Sequence, residues 1–395
     1  MIPEIRKAYN QAFTEEKYIS MFESLWKKFN KRIEFKVCET PAFIPEFLKQ
    51  DLIAAGEEII DVIVQDNFKK RTDRSIPKNL NVPGEDDHAV YLALDFGICT
   101  DEDGKIIPKL IEMQGFPSLY AHQHAMANAY KKYMEVPVEM THLFNGHDDA
   151  SYREIFKQSV LGNHKPENVI LLDVKPNEQK TWVDFSDTKE ITGIEAICIT
   201  EIKKEGKDLY YLKNGKRTPI YRIYNRLIFD ELLLRTDLKY EWNLTDEANV
   251  EWCSHPNWFF RISKFSLPLI QSKYVPKTYY LHTLKSIPED LENYVLKPLY
   301  SFAGSGVKFH VTKEDIENVQ SPENFILQEK VNYAPVIKTP DDPAKFEVRL
   351  MYIWKPEAKR PELVINLVRL SKGEMIGVNF NKNREWVGGS VGFFY

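Results

Sequence analysis

Apolar side chains recur at helical spacing over residues 5–29 and again over 43–64, the second stretch following a turn that holds Pro41 and Pro45. Two helices are predicted there, with RIEFKV (32–37) as a short strand between them. A turn-rich stretch, 71–87, with Pro77, Pro83 and Gly84, ends this helical section. Two apolar runs follow, VYLALDFGI and IIPKLIEM, joined by the acidic turn TDEDGK, which predicts an antiparallel hairpin. Pro117 and Ser118 close it, and the spacing from Tyr120 to Tyr133 predicts a helix.

The rhythm then changes. ENVILLDV reads as a buried strand, KTWVDFSDTKEIT as a helix and EAICITEI as a second strand, which together predict a small α/β unit with a parallel pair. DLYYLKNGKRTPIYRIY predicts a hairpin turning at Asn214-Gly215, and LIFDELLL a helix. From Pro256 the order is helix, strand, Gly-rich turn, strand, helix, and then long strands.

Composition narrows the class without naming a chemistry. The 395 residues carry 53 Lys+Arg against 58 Asp+Glu, a net charge of −5, so a general nucleic-acid or anionic-membrane binder is not expected. Four scattered cysteines, Cys38, Cys99, Cys198 and Cys253, show no CxxC spacing and read as reduced, buried thiols. No apolar run reaches the ~20 residues of a membrane helix, and the first residues lack an apolar leader. A cytoplasmic protein is expected.

Chemistry concentrates in two places. In YVLKPLYSFAGSGV a strand ends at Lys297-Pro298 and runs into a loop with Gly304, Ser305 and Gly306, followed by a second predicted strand, VKFHV. Glycines let backbone N–H groups approach an anion, and a neighbouring lysine reaches the same phosphates. FILQEKV then brings Gln328 and Glu329 to a strand end, FEVRLMYIW places Glu347 and Arg349 on one face, and LVINLVRLSKGEMIGVNFN carries Asn366 and Arg369. The second place is the early hairpin, where Asp95 and Glu112 sit on opposite arms and Gln114 shares a face with Glu112. Two carboxylates and an amide oxygen are hard oxygen donors.

These residues resemble the ATP-grasp superfamily: YVLKP the lysine strand, FAGSGV the phosphate loop, LQEKV the adenine hinge, FEVR the acidic-x-Arg strand, and Lys264 in RISKFSLPLI the earlier lysine. With the metal-type hairpin first and the nucleotide half last, the order looks circularly permuted, and it is similar to the synthetase region of glutathionylspermidine synthase. The likeness is dense over 91–122 and 261–381. Gln114 stands where that family has Asn, and Ala93 where it has Arg.

The resemblance implies an α/β (α+β) chain. Residues 1–150 would form a helical segment plus the metal-binding half, 151–255 an inserted pre-ATP-grasp-like domain, and 256–395 the nucleotide half. It implies a ligase that joins a carboxylate to an amine or thiol through an acyl phosphate, on a peptide or amino acid-like substrate. Asp95, Glu112 and Gln114 would hold Mg²⁺. Lys264, Lys297, Gly304, Ser305, Gly306, Gln328 and Glu329 would hold ATP, Lys297 and Arg349 would be catalytic, and Ser118 would touch substrate. ATP binding without ligation, or phosphotransfer, are the alternatives. Arg222 and Arg226 are expected to pair with Asp230 and Glu231, the alternative being a substrate carboxylate, and His122 and His124 to be polar helix residues. The WFF run at 258–260 and Tyr279-Tyr280 are expected in the core.

Overall fold

The computed structural model describes residues 1–300, 306–373, 376, 381 and 383–395. Its centre is a five-stranded antiparallel sheet in the order Gly388–Ser390, Glu362–Ser371, Lys345–Ile353, Tyr91–Thr100, Ile106–Gln114. Strands near both ends of the chain thus share one sheet. The predicted hairpin forms, and its first arm lies beside the FEVR strand, with Asp95 opposite both Arg349 and Glu112.

Side chains alternate across these strands and sort into two environments. Leu92, Leu94, Phe96, Val348 and Leu350 join the core under the helix Glu46–Ile63, which contributes Leu48, Leu52, Ala55 and Ile59. The opposite face carries Tyr91, Met351 and Ile365, packed with Tyr120 and Phe156. That face also carries the charged residues Asp95, Glu347 and Arg349, which are buried.

A second sheet, Thr278–Tyr280, Phe325–Glu329, Tyr294–Pro298, is antiparallel and presents Lys297 opposite Ile326. The third is parallel, in the order Glu251–Cys253, Arg222–Asn225, Val169–Asp173, Glu195–Cys198. It contains the expected parallel pair, with the helix Trp182–Thr192 as crossover. The hairpin Asp208–Lys213/Lys216–Ile220 turns at Asn214 and Gly215, both with positive φ, as a type I′ turn requires. The helix Tyr120–Tyr133 has its predicted bounds. All four cysteines are buried and free, and among the described residues no helix is long and apolar enough to cross a membrane.

Three local expectations fail. The helical stretch 5–29 breaks into Pro3–Ala12 and Glu15–Ser24, because Thr14 accepts from the Lys17 N–H and starts a new helix. Residues 32–37 form no strand; the chain only touches the C-terminal edge, where Val37 bridges Gly389 and Gly389 donates to the Lys36 carbonyl at 2.9 Å. Residues 307–311 also form no strand. Lys308 bridges Leu296, and then a capping box between Thr312 and Asp315 turns the chain into the helix Lys313–Glu317.

Gly115, at the end of the hairpin, sits against the segment that brings in Lys264. Its N–H donates to Ile262 at 3.0 Å, and a Cβ there would lie 2.4 Å from the Trp258 carbonyl oxygen. Backbone cannot yield as a flexible side chain would. Gly115→Ala is therefore expected to lower stability by about 1–3 kcal/mol in urea denaturation; a change within the error of that measurement would show that the two segments are not in contact.

Candidate functional site

A buried ionic network crosses three strands. Arg349 donates from Nε to Asp95 Oδ1 at 2.6 Å and from a terminal nitrogen to Oδ2 at 2.7 Å, a bidentate fork. Arg369, on the next strand, donates to the same Oδ2 at 2.7 Å and bridges Glu347 Oε2 at 2.8 Å. The Tyr333 hydroxyl donates to Glu347 Oε1. Asp95 is 1% exposed. Burial pushes its pKa up, but the two guanidinium groups override that and hold it below the ordinary carboxylate value. For Glu347 burial wins: its pKa is raised although Arg369 opposes the shift.

Gly97 makes room for this arrangement, since a Cβ there would meet the Tyr333 ring at 2.7 Å. A β-bulge follows Asp95 and gives the second arm one extra residue, Ile111. Glu112 is thereby set opposite Asp95, with Gln114 two positions on.

Beside the network lies a narrow cleft, open to solvent, lined by Glu112, Gln114, Asp230, Phe259, Lys264 and Tyr300 among others. Lys264 enters from a 3₁₀ segment capped by Ser263. Burial lowers its pKa, against the attraction of Glu112 and Asp230. Lys297 is half-buried, and its Nζ donates to Gln328 Oε1 at 2.6 Å while Gln328 donates to the Thr278 hydroxyl at 2.9 Å. Burial, helped by repulsion from Lys264, lowers the Lys297 pKa to about 8, although Glu112 and Glu347 pull it upward.

The structure thus gathers Glu112, Gln114, Lys264 and Lys297 into one neighbourhood, the hairpin pair lying 264 − 114 = 150 positions or more before the lysines. Gln328 supports Lys297 from the adjacent strand. Glu329 lies at the strand end, 3.5 Å from Lys277. Gly306 is exposed with φ of 72°, while Gly304 and Ser305 lie outside the described residues. Ser118 is half-buried in the turn before Leu119, whose backbone N–H donates to Asp184. Arg349 is turned wholly to Asp95.

The expected partners of Arg222 and Arg226 are replaced by others. Arg222 pairs with Glu251 at 3.0 Å, and the buried Arg226 pairs with Asp184, because the parallel sheet brings its strand against the helix Trp182–Thr192 and not against its own following helix. His122 and His124 are helix residues that bond Asp187 and Asp149, each at 2.8 Å, and both are buried. Trp258 and Phe260 are core, whereas Phe259 lines the cleft and Tyr279 is exposed. Tyr333 and Asp230 escaped the sequence reading as participants; the Glu347-x-Arg349 alternation and Arg369 pointed at the network, but strand register decides who meets whom.

Magnesium at Asp95 does not fit this geometry. Both carboxylate oxygens already accept from guanidinium groups, and a divalent cation there would face two fixed positive charges. Among the described residues no three His, Cys, Asp or Glu side chains are grouped to hold a metal ion. Glu112 and Gln114 remain as oxygen donors on the cleft wall.

No family model matches the chain, and no curated protein matches it. Among solved structures it is similar to the apo form of a glutathione synthetase-like effector, GSS30, from Globodera pallida, at 11% identity over 96% of each chain with a TM-score of 0.59. The likeness covers nearly the full length of the chain and is one of fold: an α+β architecture like that of this glutathione synthetase-like protein.

If the Asp95 network is structural, removing its centre strands two arginines in a buried site. Asp95→Ala is expected to destabilise the protein by roughly 3–5 kcal/mol, the range for breaking a buried ion pair. Thermal and urea denaturation check this, and near-wild-type stability would mean that Asp95 does not brace the sheet.

Proposed function

We propose that the cleft binds ATP, with the triphosphate against Lys264 and Lys297, and that the chain uses it as an ATP-grasp-type ligase. The carrying observation is the convergence of two lysines, from segments far apart in sequence, on the hairpin wall that bears Glu112 and Gln114. Among the described residues the hydrogen bond of Lys297 goes to a neutral amide and not to a carboxylate, which leaves its charge available to an anion. The loop with Gly304, Ser305 and Gly306 would cover the phosphates, and Gln328 and Glu329 lie on the strand next to Lys297, on the side where adenine would enter. In the reaction a substrate carboxylate would attack the γ-phosphate, and an amine or thiol would then displace phosphate from the acyl phosphate. Protein groups would act by positioning and charge neutralisation. The circular permutation and the insertion of the central unit belong to the same proposal. They rest on the motif order and on a sheet assembled from both ends of the chain.

A second reading, ATP binding without ligation, is favoured by one observation: Arg349, the candidate for the transferring phosphoryl, is held in a bidentate bond to Asp95. Mixtures of candidate acids and amines separate the two. A ligase releases ADP and phosphate only when both partners are present, whereas ATP binding with no turnover in any mixture supports the second reading. Lys297→Ala is expected to weaken ATP binding about tenfold or more, the effect of losing a charge-assisted contact of roughly 1.5–3 kcal/mol. Wild-type affinity in that variant would remove Lys297 from the site.

The lysine also sets a pH dependence. Because burial lowers its pKa to about 8, Lys297 is charged below that pH and loses its proton as pH rises through it. ATP affinity, followed by calorimetry, should therefore be flat on the acid side and fall above pH ~8. An affinity unchanged well above that pH would argue that the phosphates lie elsewhere.

A further inference from the structure

We propose that the cleft grips a polyphosphate anion without a divalent cation, Asp95 serving as an internal brace for Arg349 and Arg369 and not as a metal ligand; this rests on the reading that ATP occupies the cleft. Three observations lead there. Asp95, the carboxylate at the position expected for a metal, spends both oxygens on two guanidinium groups within 2.7 Å. Glu347 is likewise engaged by Arg369 and Tyr333. The carboxylates left on the cleft wall, Glu112 and Asp230, each face lysine: Glu112 interacts with both Lys264 and Lys297, and Asp230 with Lys264.

Among the described residues Asp95, Glu112, Asp230 and Glu347 supply four negative charges, and Lys264, Lys297, Arg349 and Arg369 supply four positive ones. A nucleotide-bound Mg²⁺ takes one or two carboxylates from the protein and the rest of its ligands from phosphates and water. Each of these four carboxylates already faces a cation. An incoming phosphate meets a different prospect: the hydrogen bond of Lys297 among the described residues goes to an amide, and the ammonium can move onto an anion while giving up a neutral acceptor. The two lysines would thus supply the positive charge that a metal brings to the phosphates elsewhere, and the arginine network would remain intact when the cleft fills.

Two measurements on the full chain decide the matter. The first is ATP titration by calorimetry in Mg²⁺ and, separately, in EDTA. The proposal expects dissociation constants that agree within about threefold. Affinity about tenfold weaker or worse in EDTA overturns the proposal while leaving ATP binding standing. No heat in either buffer overturns the ATP reading itself. The second measurement needs no nucleotide: Mn²⁺ titrated into the free protein and followed by electron paramagnetic resonance. No site is expected at Asp95, so a bound Mn²⁺ that disappears in Asp95→Asn overturns the proposal. Because Asp95→Asn could fold poorly, Glu112→Gln is titrated in parallel. Mn²⁺ binding lost in that folded variant equally places a metal in the cleft and overturns the proposal, and the absence of any bound Mn²⁺ in the wild type supports it.

Discussion

Four charged side chains on three adjacent strands, Asp95, Glu347 and Arg349 buried and Arg369 half-buried, are the constraint around which this molecule is arranged. Ionised groups placed out of water are tolerated only with close, well-oriented partners, since desolvating each one costs several kcal/mol. Asp95, Arg349, Arg369 and Glu347 meet that requirement because antiparallel register sets Asp95 beside Arg349 and Glu347 beside Arg369. A shift of one residue between the Tyr91–Thr100 and Lys345–Ile353 strands would turn every side chain of one strand to the other face. Asp95 would then enter the layer of Leu92, Leu94 and Phe96. The network therefore specifies register as much as it stabilises it.

The neighbouring cleft inherits its geometry from that register. Once Asp95 is fixed, the bulge after it places Glu112 opposite, and the end of the hairpin brings Gly115 against Trp258 and Ile262. That contact carries Lys264 to the wall formed by Glu112 and Gln114. Lys297 arrives from a separate sheet, held by Gln328, so the two lysines are positioned by independent parts of the fold. Their mutual repulsion, together with burial, is what lowers the Lys297 pKa. An anion between them would relieve that repulsion.

Much of this was legible in the sequence, and the parts that were not share a cause. The hairpin was readable because two apolar runs flank a Gly-containing acidic turn, and the helix Tyr120–Tyr133 from its apolar spacing. The parallel pair Val169–Asp173 and Glu195–Cys198 was readable from its continuous apolar character. The failures at 32–37 and 307–311 are segments with strand-like composition but no partner long enough to pair with. A strand is a property of two segments, and one sequence window shows only one of them. The candidate residues were legible as a set, whereas their pairings were not. Glu347 and Arg349 share a face in any strand, but that Arg349 reaches Asp95, 254 positions away, depends on which strands become neighbours. Arg226 is the same case, since its partner Asp184 comes from the helix crossing the parallel sheet and not from the residues that follow it.

The long separation has an energetic reading as well. Bringing residues 91–100 to 345–353 closes a loop of over two hundred residues, yet closure entropy grows only logarithmically, by about 0.6 kcal/mol for each doubling of length. A central unit of any moderate size can therefore sit inside the loop at nearly the same thermodynamic cost. Folding rate suffers more, since non-local pairing must precede its reward. Until the Lys345–Ile353 strand arrives, the Tyr91–Thr100 strand presents an open edge and Asp95 lacks both arginines. The ion network thus cannot form in stages along the chain. It forms when the ends meet, and the lysine cleft forms with it.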